Sequence, residues 1–263
     1  MPQWLASCSF ELFNGLPKKD IYLVAERYGQ LLTTDAMAKA DRALRDRWLI
    51  FVVKEALASA RQIAITNKPY WLLAEASCEL AIMALAGKEA PNVAAKAAQA
   101  AQAAAFDAAF DAHHRVLTAP GGSFWPIVPA QAEEHSAEAA KAAAETAAAA
   151  AEAIQFANAD PDYRQVFSKP QWAARKAAEA ARQAAQGWMV AAIAIGGRDQ
   201  SEAEAAGEAA LDAYFETANH PERLALVSAM GAEGSSPEIA YRRMFDRLLD
   251  EISAAKPEMT KPR

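Results

Sequence analysis

Alanine fills roughly a quarter of this chain, and nearly half of the stretch from Ala94 to Ala153, in runs such as Ala147 to Ala151. Alanine is the strongest helix former and packs with a single methyl group, so it fixes backbone and spacing while carrying no acid, base, nucleophile or ligand. Such a chain is committed to helices that pack closely, and any chemistry must come from the few other residues between the alanines. No block of alternating β-branched residues flanked by turns suggests a strand. The predicted fold class is all-α: a single-domain multi-helix bundle or stacked helical array of about eight to ten helices, over residues 1–255, with close-packed alanine-rich helices in the middle. Residues 256–263, with two prolines, read as a flexible tail.

Proline and glycine place the boundaries. A helix opens at Pro17 and Lys18 and runs through Leu32; Thr34 or Asp35 caps a second that continues through Ile65. Pro69 opens a third that stops at Gly87, and Pro91 sits in the first turn of a helix from about Asn92 to Thr118. Ala119 to Pro129 reads as a packed loop anchored by Trp125. A second alanine helix is expected from Ala130 to Asn158, a connection with a short turn around Tyr163 to Phe167 and a stop at Pro170, and then a helix from Trp172 to Ile195. Three more are predicted near Ser201 to Thr217, Pro221 to Met230 and Pro237 to Ala254.

The alanine helices carry single polar stripes. Glu138, Glu145 and Glu152 recur every seven residues with Lys141 beside them, and Arg175, Lys176, Glu179, Arg182, Gln183 and Gln186 do the same at three- and four-residue spacing. The methyl faces must pack, at the short end of the usual interaxial range of roughly 8–10 Å. Because a buried methyl contributes about 0.8 kcal/mol and a buried leucine about 1.5–3, the firm core belongs elsewhere. Its expected members are Trp48, Leu49, Phe51, Val52, Trp71, Leu72, Leu73, Leu80, Ile82, Met83, Leu85, Trp188, Met189, Ile193, Leu211, Tyr214, Phe215, Phe245, Leu248 and Leu249.

Composition narrows the function. The net charge of −6 is modest, and the arginines at 42, 45, 47, 242, 243 and 247 alternate with Asp41, Asp46, Asp246 and Asp250. That is the pattern of salt-bridged helix edges, so nucleic acid is not an expected partner. Met1 to Asn14 has neither the basic start nor the apolar run of a signal peptide, no apolar run reaches the roughly 20 residues of a transmembrane helix, and two cysteines form no disulfide framework. A cytoplasmic location is the expectation.

One constellation carries candidate chemistry. Asp107, Asp111 and His114 are spaced by four and three residues, which aligns two carboxylates and an imidazole on one helix face, the donor set of a divalent-metal site in a helical bundle. Glu133, Glu134 and His135 are placed to add ligands from beyond the loop. The same positions also continue a polar edge begun by Lys96, and Phe106 and Phe110 beside them suggest a helix covered on two sides. Glu75 and Glu79 near Cys78 form a second carboxylate pair, and Gly196, Gly197 and Arg198 a candidate anion contact; both have plainer readings as a water-facing edge and a helix stop. No nucleophile elbow, phosphate loop or Cys-x-x-Cys pair occurs. With no catalytic set evident, the expected function is non-enzymatic protein binding, as an adaptor or accessory subunit or an inhibitor or immunity-type factor. Its partner is another protein or a second copy of itself, and no cofactor is called for. The alternative is a metal-dependent or carboxylate-based enzyme using Asp107, Asp111 and His114.

Overall fold

A computed structural model describes residues 2–32, 42–119, 127–159, 164–196 and 236–254, and these form eight helices with no strand among the described residues. They are α1 (Gln3–Gly15), α2 (Lys18–Leu32), α3 (Arg42–Arg61), α4 (Pro69–Leu85), α5 (Pro91–Leu117), α6 (Ile127–Ala159), α7 (Arg164–Gly196) and α8 (Ser236–Ala254). The fold class is the all-helical array that the alanine content requires.

The three longest helices, α5, α6 and α7, lie side by side with α6 in the centre, and α4, α3, α8 and α1 pack across them. α4 touches α5 and α6, α3 touches α6 and α7, and both α1 and α8 touch α7. Between Ala130 and Ile154, α6 exposes no residue freely: Ala139, Ala140, Ala143, Ala144, Ala147, Ala150 and Ala151 are fully buried. A helix with methyls on nearly all sides accepts neighbours on nearly all sides, because no long side chain holds them off. Its remaining edge is the seven-residue glutamate stripe. Glu145 pairs with Lys176 of α7 and accepts from Gln102 of α5 at 2.7 Å, Glu152 pairs with Lys169, and Lys141 donates to Glu138 at 2.9 Å.

Large side chains gather where α1, α2, α3 and α8 meet. Phe13 of α1, Tyr28 of α2 and Phe245 of α8 form an aromatic cluster, with Phe13 edge-on to Phe245 at 4.7 Å and to Tyr28 at 5.4 Å. Trp48 of α3 is fully buried, lies 6.3 Å from Trp4, and donates its indole N–H to the Met244 carbonyl at 2.9 Å. That bond satisfies the one polar group this side chain takes out of water. Gly15 lets α8 come close: a Cβ there would stand 2.1 Å from the Tyr241 ring. The mixed arginine stripes join α3 to α8, through Arg47 to Glu251 and Arg243 to Glu55, as salt-bridged edges do.

Several sequence expectations are corrected. α1 precedes the first predicted helix, and Trp4, Leu5, Cys8 and Leu12 of it are buried. α3 ends at Arg61, not Ile65, because the N–H groups of Gln62, Ile63 and Ala64 turn to carbonyls three residues back and that of Ile65 goes to Ser136 Oγ at 3.3 Å. α6 begins at Ile127, inside the segment read as a loop. α7 runs through Pro170, which is buried, where a break was expected; the missing N–H costs one intrahelical bond, and packing against α1 offsets it. Leu72, Leu73 and Met83 are exposed and outside the core. Apolar residues surround α4, so periodicity selects no face, and the close approach of its neighbours selects the small residues Ala74, Ser77, Cys78 and Ala81 instead. Trp48, Leu49, Val52, Trp71, Leu85, Phe245, Leu248 and Leu249 are buried as expected, and Phe51, Leu80 and Ile82 partly so. Trp125, Gly197, Arg198, Leu211, Tyr214, Phe215, residues 256–263 and the helices predicted near 201–217 and 221–230 lie outside the described residues, as do the side chains of Trp188, Met189 and Ile193.

Candidate functional site

Among the described helices, α5 is the edge of the long-helix layer, packed against α4 and α6. Pro91 at its start and Gly87 before it, with φ of +72°, set the tight reversal from α4, since glycine takes that left-handed conformation without a Cβ penalty. The buried side of α5 is alanine throughout: Ala94, Ala95, Ala98, Ala101, Ala105, Ala109 and Ala112.

Asp107, Asp111 and His114 are all exposed on the opposite side. Asp111 and His114 line a groove of about 610 Å³ between α4, α5 and the start of α6, together with Lys68, Tyr70, Arg115 and Glu133, while Asp107 lies outside its lining. Glu133 is the centre of that groove's charge. It accepts from Lys68 at 2.6 Å and Arg115 at 2.8 Å. Burial pushes its carboxyl up, yet the two cations outweigh it and hold the group below the usual carboxylate range. Burial raises the Tyr70 phenol, which donates to Ser136 at 3.1 Å. Glu134 faces His113 at 3.0 Å and His135 faces Gln183 at 3.0 Å, so these two turn away from Asp107 and Asp111. No group of three or more His, Cys, Asp or Glu side chains able to hold a metal ion occurs among the described residues.

The remaining candidates are structural. Glu75 pairs with Arg61 and Glu79 is exposed, as for a water-facing edge. Cys78 is fully buried and points its thiol at the Ala143 carbonyl, and burial pushes that thiol up to about 12; burial likewise raises Cys8. Neither is a nucleophile in the folded state. A second concavity, about 330 Å³, lies by Glu11, Lys169, Gln171, Trp172 and Arg175, where Tyr241 and Gln171 both donate to Glu11.

What the sequence did not reveal is an apolar surface. Phe106 and Phe110, expected to be covered, are 53% and 61% exposed. Of the eleven large hydrophobic residues exposed among the described ones, seven belong to α4 and α5: Leu72, Leu73, Met83, Val93, Phe106, Phe110 and Leu117. On α5, Val93, Phe110 and Leu117 belong to a seven-residue repeat, with Phe106 beside it. Val93, Lys96, Ala100, Ala103, Asp107, Phe110, His114 and Leu117 occupy alternating three- and four-residue steps, and all eight are exposed. At roughly 100° per residue these positions drift by about 20° per heptad, but all lie on the half of the helix away from the alanine face. The signal was present in the spacing, but alanine on both sides of α5 hid which side was inner.

No protein-family model, curated protein or solved structure matches the chain. Among the described residues no helix is long and apolar enough to cross a membrane.

Proposed function

We propose that this is a non-enzymatic interaction protein, an adaptor or accessory subunit or an inhibitor-type factor, that binds a polypeptide through the outer face of α5. The observation that carries the reading is the unbroken exposed seam from Val93 to Leu117. Exposed apolar side chains at regular spacing, here Val93, Phe110 and Leu117 with Lys96, Asp107 and His114 between them, mark a place where another surface docks. The methyl faces of α6 and the inner side of α5 are spent on internal packing, so the outer face of this edge helix is what the array offers to a partner. A two-step seam of this kind presents knobs at the spacing a second helix accepts.

The test is photo-crosslinking in cells of the natural source, with p-benzoylphenylalanine in place of Phe110 and, as a control, in place of the exposed Glu26 on α2. The expected result is a discrete polypeptide adduct at position 110 and none at 26. No adduct at 110, or equal labelling at both, overturns the reading.

A further inference from the structure

The geometry points to a second copy of this chain as the occupant of the α5 seam, paired antiparallel about a two-fold axis near residues 101 and 102, with Lys96 of each copy against Asp107 of the other. This rests on the reading of α5 as a binding face and names the partner.

Lys96 and Asp107 are both exposed, and neither has an ion-pair partner among the described residues. They stand eleven residues apart, about 16 Å along the helix, too far to meet within one chain. Two-fold symmetry makes every contact occur twice, with residue i facing residue j and j facing i. Pairing 96 with 107 in an antiparallel arrangement fixes the rest of the register: Ala100 faces Ala103 and Val93 faces Phe110. Each of these pairs joins groups that suit each other. The methyls at the dyad let the two backbones approach closely, the ion pairs flank that contact, and the apolar Val93 and Phe110 close both ends. Beside the seam, Phe106 lies on the α6 flank, where Lys141 sits over its ring at 5.4 Å from the centroid. Sliding the register by one heptad places Lys96 opposite His114 and Asp107 opposite Ala103, so the compensating charges are lost. Charge thus selects the alignment, as flanking charges do in paired helices.

A single helix pair gives a small interface, so association in the micromolar range is expected rather than an obligate dimer. Sedimentation velocity of the full chain, from about 5 to 500 µM on either side of that range, reads the outcome. The wild type is expected to shift reversibly from monomer to dimer. Lys96→Glu and Asp107→Lys alone each set two like-charge contacts across the dyad and should weaken dimerisation about tenfold or more. The double variant Lys96→Glu/Asp107→Lys recreates both pairs with the signs exchanged and should return to within about threefold of the wild type. Both positions are exposed, and recovery in the double variant excludes misfolding as the cause of the single effects.

A wild type that stays monomeric throughout overturns self-pairing. If Phe110 still yields an adduct with a different polypeptide, the binding face stands and only its occupant is wrong; without any adduct, both readings fall. A dimer indifferent to the single reversals, or not restored by the double, overturns the register.

Discussion

Two regions of this molecule solve the packing problem with opposite materials. Around α1, α2, α3 and α8, a few large side chains interlock: Phe13, Tyr28 and Phe245 meet edge-on or stacked, and Trp48 is enclosed with its one donor satisfied. In α5, α6 and α7, methyl meets methyl over helices of 27, 33 and 33 residues. The aromatic region concentrates its stabilisation in a few residues, each with one specific place. The alanine layer spreads its stabilisation thinly over many methyl contacts between α5, α6 and α7. The outer face of α5, exposed from Val93 to Leu117, is the surface we propose as an interface.

Substitutions distinguish the two kinds of packing. The largest effect is expected for Trp48→Ala, which leaves a cavity where the indole packed and should cost about 3–5 kcal/mol in denaturant unfolding. A loss below about 1 kcal/mol would erase the contrast, because no position in that region is more enclosed. Next comes Ala147→Leu in the centre of α6, where there is no room for three more carbons and overpacking should cost about 1–3 kcal/mol. The same change at Ala100, on the exposed seam of α5, should leave the unfolding free energy of the dilute monomer within about 0.5 kcal/mol of the wild type. Equal penalties at both positions would mean that the outer face of α5 is covered.

A smaller effect concerns pH. Glu133 has its carboxyl held below the usual range by Lys68 and Arg115, so its contribution is present above the unfolded carboxylate pKa and is lost as pH falls through the lower folded value. Glu133→Gln should therefore cost stability at neutral pH, and the difference from the wild type should vanish in acid. Because Lys68 and Arg115 are 38% and 54% exposed, solvent screening limits that loss to about 1 kcal/mol or less. A deficit that persists at low pH would show that Glu133 acts through packing and not through charge.

Helix starts and stops were legible wherever a rigid residue marked them: Pro69 and Pro91 open α4 and α5, and Gly87 closes α4 with the backbone angle that favours glycine. Pro170 misled for the same reason, since a local rule has no knowledge of the packing against α1 that keeps α7 continuous. α1 was missed although Trp4, Leu5, Cys8 and Leu12 already had helical spacing; a single short amphipathic turn set has little weight until its partners are known. At the candidate site, the alignment of Asp107, Asp111 and His114 on one face of α5 was readable, and so was its alternative reading as a polar edge. The aromatic flank was not: whether Phe106 and Phe110 are covered depends on where the chain places its other helices, and a helix with methyls on several faces does not announce its inner side. Leu72, Leu73 and Met83 fail as core residues by the same logic, because close packing admits small side chains and turns large ones outward.

The most direct measurement is the distance between spin labels on two copies, taken by pulsed dipolar spectroscopy with nitroxides on Gln99→Cys or on His113→Cys, both on the flank of the seam. Cys8 and Cys78 are buried, and burial raises both thiols, so the label goes to the introduced cysteine. In the antiparallel register the two labels at position 99 are offset by about 8 Å along the helix axis and those at position 113 by about 35 Å. A short distance at 99 with a long one at 113 is the expected result. Equal distances at the two positions, as parallel helices would give, or no dipolar coupling at either, would contradict the account.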